Sequence, residues 1–286
     1  MSLWLDLLGA EVRFVQTPSF GRARIAEAGG GKEPLLFLHG IGGHLEAYAK
    51  NIVPLSDRFH VIAYDYVGHG LSEKKALDYT PFTFVEHLRE LCDALGLGRV
   101  NLSGESLGGW VSALFAVQWP ERVNRLMLNT SAGIPILTEK GRADLENLKA
   151  LSQKNAGQMP TFESVMARMQ WLIHASNRHL LTEELVRTRL HCYLQPGMRE
   201  VAPSVLKIIG RHDEFLIPLE KIGCETLFLW TLDNPVHDVE SARQACAKVA
   251  HAELYVMKGD SAHWPQYEQP EEFNKVTRKF FTTGKI

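Results

Sequence analysis

The chain has 286 residues, with 31 Lys and Arg against 33 Asp and Glu. That length buries one substantial core, and single α/β domains of roughly 200–300 residues are common, so one domain carrying an insertion is expected. Charge is nearly balanced and no block of five or more like charges occurs, which excludes nucleic acid or an anionic membrane as a main partner. Residues 1–6 carry neither a basic stretch nor the start of a long apolar one, and no run approaches ~18 apolar residues, so neither export nor membrane spanning is expected. The chain reads as a soluble cytoplasmic protein acting on a small-molecule substrate, with a homo-oligomer left open. Cys92, Cys192, Cys224 and Cys246 lie far apart without C-x-x-C spacing. They read as small buried apolar residues in a reducing compartment, and neither a metal nor a cofactor is expected.

Taken in chain order, residues 35–38 and 61–64 are short, almost continuous apolar runs, each followed by a glycine-rich turn. Such runs are expected of strands covered on both faces in a parallel sheet. Residues 99–102 and 125–128 repeat the pattern. Helical segments lie between them, over 83–95 after Thr80-Pro81 and over 108–118 before Pro120. Strands alternating with helices of this length imply a mostly parallel, doubly wound sheet with right-handed crossovers. Over residues 131–211 the texture turns to helical periodicity with no strand pattern, which predicts a helical lid inserted over the strand ends where ligands bind. The core domain is then 1–130 and 212–286. Strand patterns return at 226–230 and 253–257, separated by a helix over 239–249 and followed by one over 270–281.

Gly104-Glu105-Ser106-Leu107-Gly108 sits where the strand at 99–102 meets the helix at 108–118. A G-x-S-x-G turn from strand to helix holds its serine in a strained conformation, and the glycines remove side chains that would clash. Ser106 is therefore the candidate nucleophile, its Oγ presented beside the amides of a helix N-terminus. A serine hydroxyl needs a base to take its proton. Of the 12 histidines, His263 follows the last predicted strand in the small-residue loop Gly259-Asp260-Ser261-Ala262-His263-Trp264, at the same sheet edge.

The base needs an orienting acid, and the loop Asp233-Asn234-Pro235-Val236-His237-Asp238 follows the strand before the last. Asp233 and Asp238 are the candidates. Asn234, between them, could orient an imidazole, but an amide in place of the carboxylate can cost ~10⁴ in rate. Asp238 also reads as a helix N-cap and Asp233 as a turn residue; Asp233 is preferred. Asp213 precedes the strand at 226–230 and is set aside. For the oxyanion hole the Leu107 amide supplies one donor, and the loop His39-Gly40-Ile41-Gly42-Gly43-His44 supplies the other from Ile41 or Gly42. That loop lacks the G-K-S/T ending and the G-x-G-x-x-G spacing of a phosphate cradle.

With H-G-x-G-G after one strand, G-E-S-L-G-G after the next but one, an acid loop and then His263-Trp264, the order Ser, Asp, His resembles the α/β-hydrolase fold over nearly the whole chain. Gly68-His69-Gly70-Leu71-Ser72 is similar to that family's G-x-G-x-S turn, a structural element. Two features further resemble the meta-cleavage product hydrolases: Trp264 directly after the histidine, and the lid segment Leu181 to Arg189. The resemblance implies that Arg189 grips the substrate's dienoate carboxylate, a task suited to a guanidinium fork. It also implies cleavage of a carbon–carbon bond in 2-hydroxy-6-oxo-hexa-2,4-dienoate type products of aromatic degradation. Where that family usually has Asn before the nucleophile and G-x-G-P-G in the oxyanion loop, this chain has Glu105 and Ile41-Gly42-Gly43-His44. A carboxylesterase or thioesterase acting on small acyl esters is the alternative. A binding protein or a cofactor-independent oxygenase on the same fold is a third reading. Dehalogenase and epoxide hydrolase chemistries use Asp at the elbow, whereas this chain has Ser106.

Overall fold

Burial alternates along the central strands of the computed structural model, which describes residues 2–155 and 158–286. In β3 (Pro34–Leu38), Leu36 and Leu38 enter one core while Leu35 and Phe37 enter another. In β4 (His60–Tyr64), Ile62 and Tyr64 oppose Val61 and Ala63 in the same way. Strands apolar on both faces must lie inside a sheet with helices on either side. The remaining strands are β1 (Glu11–Thr17), β2 (Gly21–Ala28), β5 (Val100–Glu105), β6 (Val123–Asn129), β7 (Glu225–Trp230) and β8 (Ala252–Val256), and the sheet order is β1-β2-β4-β3-β5-β6-β7-β8. Pairing is parallel from β4 through β8 and antiparallel where β2 meets β4 and β1. The doubly wound α/β sheet is thus as expected. The hairpin β1–β2 was not, because Glu11, Arg13 and Gln16 interrupt the apolar pattern of an exposed edge strand, where such residues discourage further pairing.

Helices Pro81–Ala94, Leu107–Gln118 and Val239–Cys246 bury Val85, Leu88, Val111, Phe115 and Ala242 on one face. Helices Ala49–Leu55 and Pro270–Thr283 bury Ile52, Leu55, Phe273 and Phe280 on the other. Between β6 and β7 the described residues form the helices Glu139–Asn155, Phe162–Leu172, Glu183–Tyr193 and Met198–Gly210, with no strand. Thr161 and Thr182 cap two of these by accepting from the amides of Ser164 and Leu185, both at 3.2 Å. Val165, Met169 and Leu185 join the second core, and Leu145, Leu148 and Ile209 pack with Val236. These contacts seat the helical segment over the carboxyl ends of the strands. All four cysteines are free, Cys92 and Cys192 buried and Cys224 and Cys246 half-buried. Among the described residues no helix is long and apolar enough to cross a membrane.

A buried charge network ties the loop after β3 to the sheet. Arg24 of β2 donates from Nε to Asp65 at 2.6 Å and from both Nη atoms to the two oxygens of Glu46 at 2.8 Å. Burial alone would favour the uncharged guanidine, but Asp65 and Glu46 outweigh it and hold Arg24 above its ordinary range. Asp65 also accepts from the amides of Leu45 and Leu71, at 2.7 and 2.8 Å. Gly70, at φ +50°, lets the turn close on it: a Cβ there would lie 2.0 Å from the Asp65 carboxyl. This is the work of the G-x-G-x-S turn, whose Ser72 hydroxyl donates to the Asp65 carbonyl at 2.7 Å.

Breaking such a network by removing one partner strands buried charge. Arg24→Gln is expected to lower stability by about 3–5 kcal/mol in urea unfolding followed by circular dichroism, because Asp65 then has no buried cation.

Candidate active site

β5 ends at Glu105, and the chain turns at Ser106 with φ 53° and ψ −116° before the helix Leu107–Gln118 begins. A non-glycine residue held there stores about 1–3 kcal/mol, which only an over-determined surrounding can sustain. The surrounding is backbone at close range. A Cβ on Gly104 would lie 2.1 Å from the carbonyl of Gly108, and one on Gly108 would lie 2.0 Å from the carbonyl oxygen of Leu38. The Ser106 amide donates to Asn129 at 3.1 Å, and its carbonyl accepts from Trp110 and Ala132. Three backbone hydrogen bonds thereby fix Ser106, with its side chain toward a cavity.

That cavity, of about 60 Å³, is lined by Ile41, Glu105, Ser106, Leu107, Arg189, His237, His263 and Trp264 among others. Through Ile41, Gly43 and Arg168 it adjoins an outer cavity of about 320 Å³ beneath the helical segment. Ile41 and Leu107 both face the inner cavity, as an oxyanion pair requires. Gly42, the other expected donor, faces the outer one, and its carbonyl accepts from the Tyr193 hydroxyl at 2.8 Å. Its neighbours Gly40 and Gly43 have committed their amides, to Glu105 at 2.7 Å and to the Gly40 carbonyl at 2.9 Å.

His263 is buried. Nδ1 lies 3.0 Å from Asn234 Oδ1 in a hydrogen bond, and Nε2 lies within ion-pair distance of Glu105 Oε1, at 2.9 Å, but out of line for a hydrogen bond. The expected acids are not there. Asp233 is exposed, with its carboxylate 3.6 Å from His174 Nε2. Asp238 caps the helix Val239–Cys246, accepting from the Ser241 amide at 2.8 Å and from the Thr138 hydroxyl at 3.0 Å. The backbone turns once more after Asp233, so the inward position falls to Asn234, whose Oδ1 also accepts from the Val236 amide. The sequence placed the loop correctly but not the residue. Asp213 is also exposed, beside His212.

The histidine loop is held by a residue that carried no motif. Glu268 accepts from the amides of Ala262 and Trp264 with one oxygen, and from the His174 amide and Asn177 Nδ2 with the other. It thus staples the loop to the segment that follows the helix Phe162–Leu172. His237, its ring centroid 5.7 Å from that of His263, is kept uncharged chiefly by burial, with the neighbouring His263 and His212 adding to the effect. Its Nδ1 has no partner among the described residues.

The two lid arginines of the sequence motif separate cleanly. Arg187 is exposed and bonded to Glu183 at 2.6 Å. Arg189 is buried at 2% exposure, its guanidinium 5.1 Å from the Trp264 ring centre, with Nε donating to Tyr193 at 2.9 Å and Nη1 left without a partner. Among the described residues no carboxylate neutralises it. Arg168, which the sequence did not single out, lies over Trp171 at 4.8 Å; burial pushes it down to about 10, with the nearby Arg189 acting in the same direction. An isolated arginine on a lid helix leaves no periodic signal that would separate it from solvated neighbours.

The family profile of the alpha/beta hydrolase fold matches residues 33–270. The 2-hydroxy-6-oxo-2,4-heptadienoate hydrolase of Pseudomonas putida is 29% identical over 263 residues, covering 88% of this chain and 90% of that protein. A 2-hydroxymuconate semialdehyde hydrolase of a Pseudomonas species is 28% identical over 269 residues, covering 91% and 90%. Among solved structures, a meta-cleavage product hydrolase from Pseudomonas fluorescens superposes with a TM-score of 0.79 at 25% identity, over 96% of this chain and 98% of that one.

The elbow's dependence on bare backbone gives a direct check. Gly108→Ala is expected to destabilise the protein by about 2–4 kcal/mol or to prevent folding, read from the urea midpoint, since the Leu38 carbonyl cannot retreat without moving β3.

Proposed function

The chain belongs to the alpha/beta hydrolase fold family, and on that premise we propose that it is a serine-dependent hydrolase of 2-hydroxy-6-oxo-hexa-2,4-dienoate type meta-cleavage products, cleaving their carbon–carbon bond. The observation that carries this reading is Arg189: a buried, unneutralised guanidinium in the cavity that Ser106 faces, with an unpartnered Nη1. A buried cation without a partner is costly, and a substrate carboxylate would relieve that cost. A neutral ester has no group to offer it. The names of the relatives describe substrates of this kind, which supports the assignment for this chain.

In this reading the dienoate carboxylate lies against Arg189 and Trp264, and the distal carbonyl lies at Ser106. The site first converts the dienol to its keto form. Ser106 and His263 then direct nucleophilic attack on the distal carbonyl, with the proton of Oγ passing to the imidazole. The developing oxyanion is met by the amides of Ile41 and Leu107. Breaking the carbon–carbon bond sends its electron pair into the conjugated 2-oxo acid, where it is delocalised, and leaves the distal acyl group on Ser106, from which water activated by His263 releases it as a carboxylic acid. Asn234 contributes orientation: by accepting from Nδ1 it turns Nε2 toward the cavity.

Two measurements test the assignment. Ser106→Ala should abolish the loss of a dienoate substrate's visible absorbance, and unchanged turnover would remove the serine from the mechanism. Arg189→Ala should raise KM for carboxylate-bearing dienoates by about 10²-fold while changing KM for p-nitrophenyl acetate by less than about threefold. Equal effects on both substrates would favour an esterase acting without a carboxylate clamp.

A further inference from the structure

The loop after β7 holds an amide where the His263 imidazole needs a charge, and the missing carboxylate stands on the other side of the ring. Asn234 Oδ1 accepts from Nδ1 at 3.0 Å and so fixes the tautomer, but a neutral amide does little for the imidazolium that forms when the serine proton is taken. Glu105 lies 2.9 Å from Nε2, is 1% exposed, and among the described residues forms no other ion pair. Its second oxygen accepts from the Gly40 amide at 2.7 Å, and it fits there because Gly40 has no side chain: a Cβ would come within 2.7–2.8 Å of the carboxylate oxygens. The carboxylate is therefore held in place by the oxyanion loop and aimed at the catalytic ring.

We propose that Glu105 is the charge partner of His263, taking from the opposite face of the ring the electrostatic part that an aspartate at position 234 would otherwise supply. This rests on the assignment of Ser106 and His263 above. As Oγ bonds to the carbonyl carbon, the carbonyl π pair moves to oxygen and the Oγ proton moves to Nε2. The imidazolium then donates from Nδ1 to Asn234, and its Nε2 proton stays toward the reacting atoms with the Glu105 carboxylate beside it as a counter-charge. When the carbon–carbon bond breaks, its electron pair leaves with the departing dienolate, which takes the proton back from Nε2; water, giving a proton to His263, then displaces Ser106 Oγ from the acyl carbon and Oγ recovers that proton. Orientation and charge, one residue's duties in the usual arrangement, are here divided between two residues.

Four proteins test this: wild type, Glu105→Gln, Asn234→Asp and the double variant, all near-isosteric changes whose folding is checked by thermal midpoint. The readouts are the rate at which a fluorophosphonate labels Ser106, which needs no knowledge of the substrate, and kcat and KM on a dienoate. Glu105→Gln is expected to slow labelling and kcat by ~10³-fold with little change in KM, Asn234→Asp to stay within about tenfold of wild type, and the double variant to regain about 10²-fold over Glu105→Gln. Recovery on moving the carboxylate across the ring is something a packing role would not produce. Labelling of Glu105→Gln at the wild-type rate overturns the proposal, as does a folded double variant no faster than Glu105→Gln. A wild-type protein that takes no label overturns the Ser106 assignment and this inference with it.

Discussion

Backbone meeting backbone at the elbow is the constraint on which the rest of the site depends. Gly104 and Gly108 bring β5, the start of the following helix and the end of β3 to within a distance that no side chain could enter. Because the Leu38 carbonyl is one of those contacts, the residues directly after β3 are placed by the same approach that strains Ser106. The elbow serine and the glycine loop after β3 are two consequences of a single packing event. A fold that relaxed this contact would lose the serine's conformation and the amides' positions together.

From that fixed point the site is assembled by buried polar groups rather than by apolar packing. The Arg24, Asp65 and Glu46 network holds the far end of the oxyanion loop, and Glu268 holds the histidine loop. Each is a carboxylate or guanidinium taken out of water, stable only because nearly every hydrogen-bonding position is filled. The two cationic side chains at the cavity, Arg168 and Arg189, break this rule: both lie against tryptophan rings, without a carboxylate partner among the described residues.

The sequence was legible where chemistry forces a local pattern. Apolar runs announced β3 through β8, glycine spacing announced the elbow, and the small-residue loop announced His263, because each depends on neighbours in the chain. The partner of His263 was not legible, since it turns on which residue of a six-residue loop faces inward, and a carboxylate looked chemically obligatory there. Glu105 could have been found only by asking where the displaced charge had gone, a question that Asn234 raises but does not answer. Glu268 and Arg168 had no motif to mark them; what Glu268 does depends on His174 and Asn177, some ninety positions away.

The Glu268 staple also limits how far the helical segment can part from the histidine loop. Its four hydrogen bonds join the histidine loop to the segment at His174 and Asn177, so parting the two would break the bonds from His174 and Asn177, at about 0.5–1.5 kcal/mol net for each, or more because the acceptor is charged. The lid is clamped at the rim where the imidazole sits. The outer cavity is bordered instead by Met159, Pro160, Met198 and Leu206, and Arg168 stands where it meets the inner one.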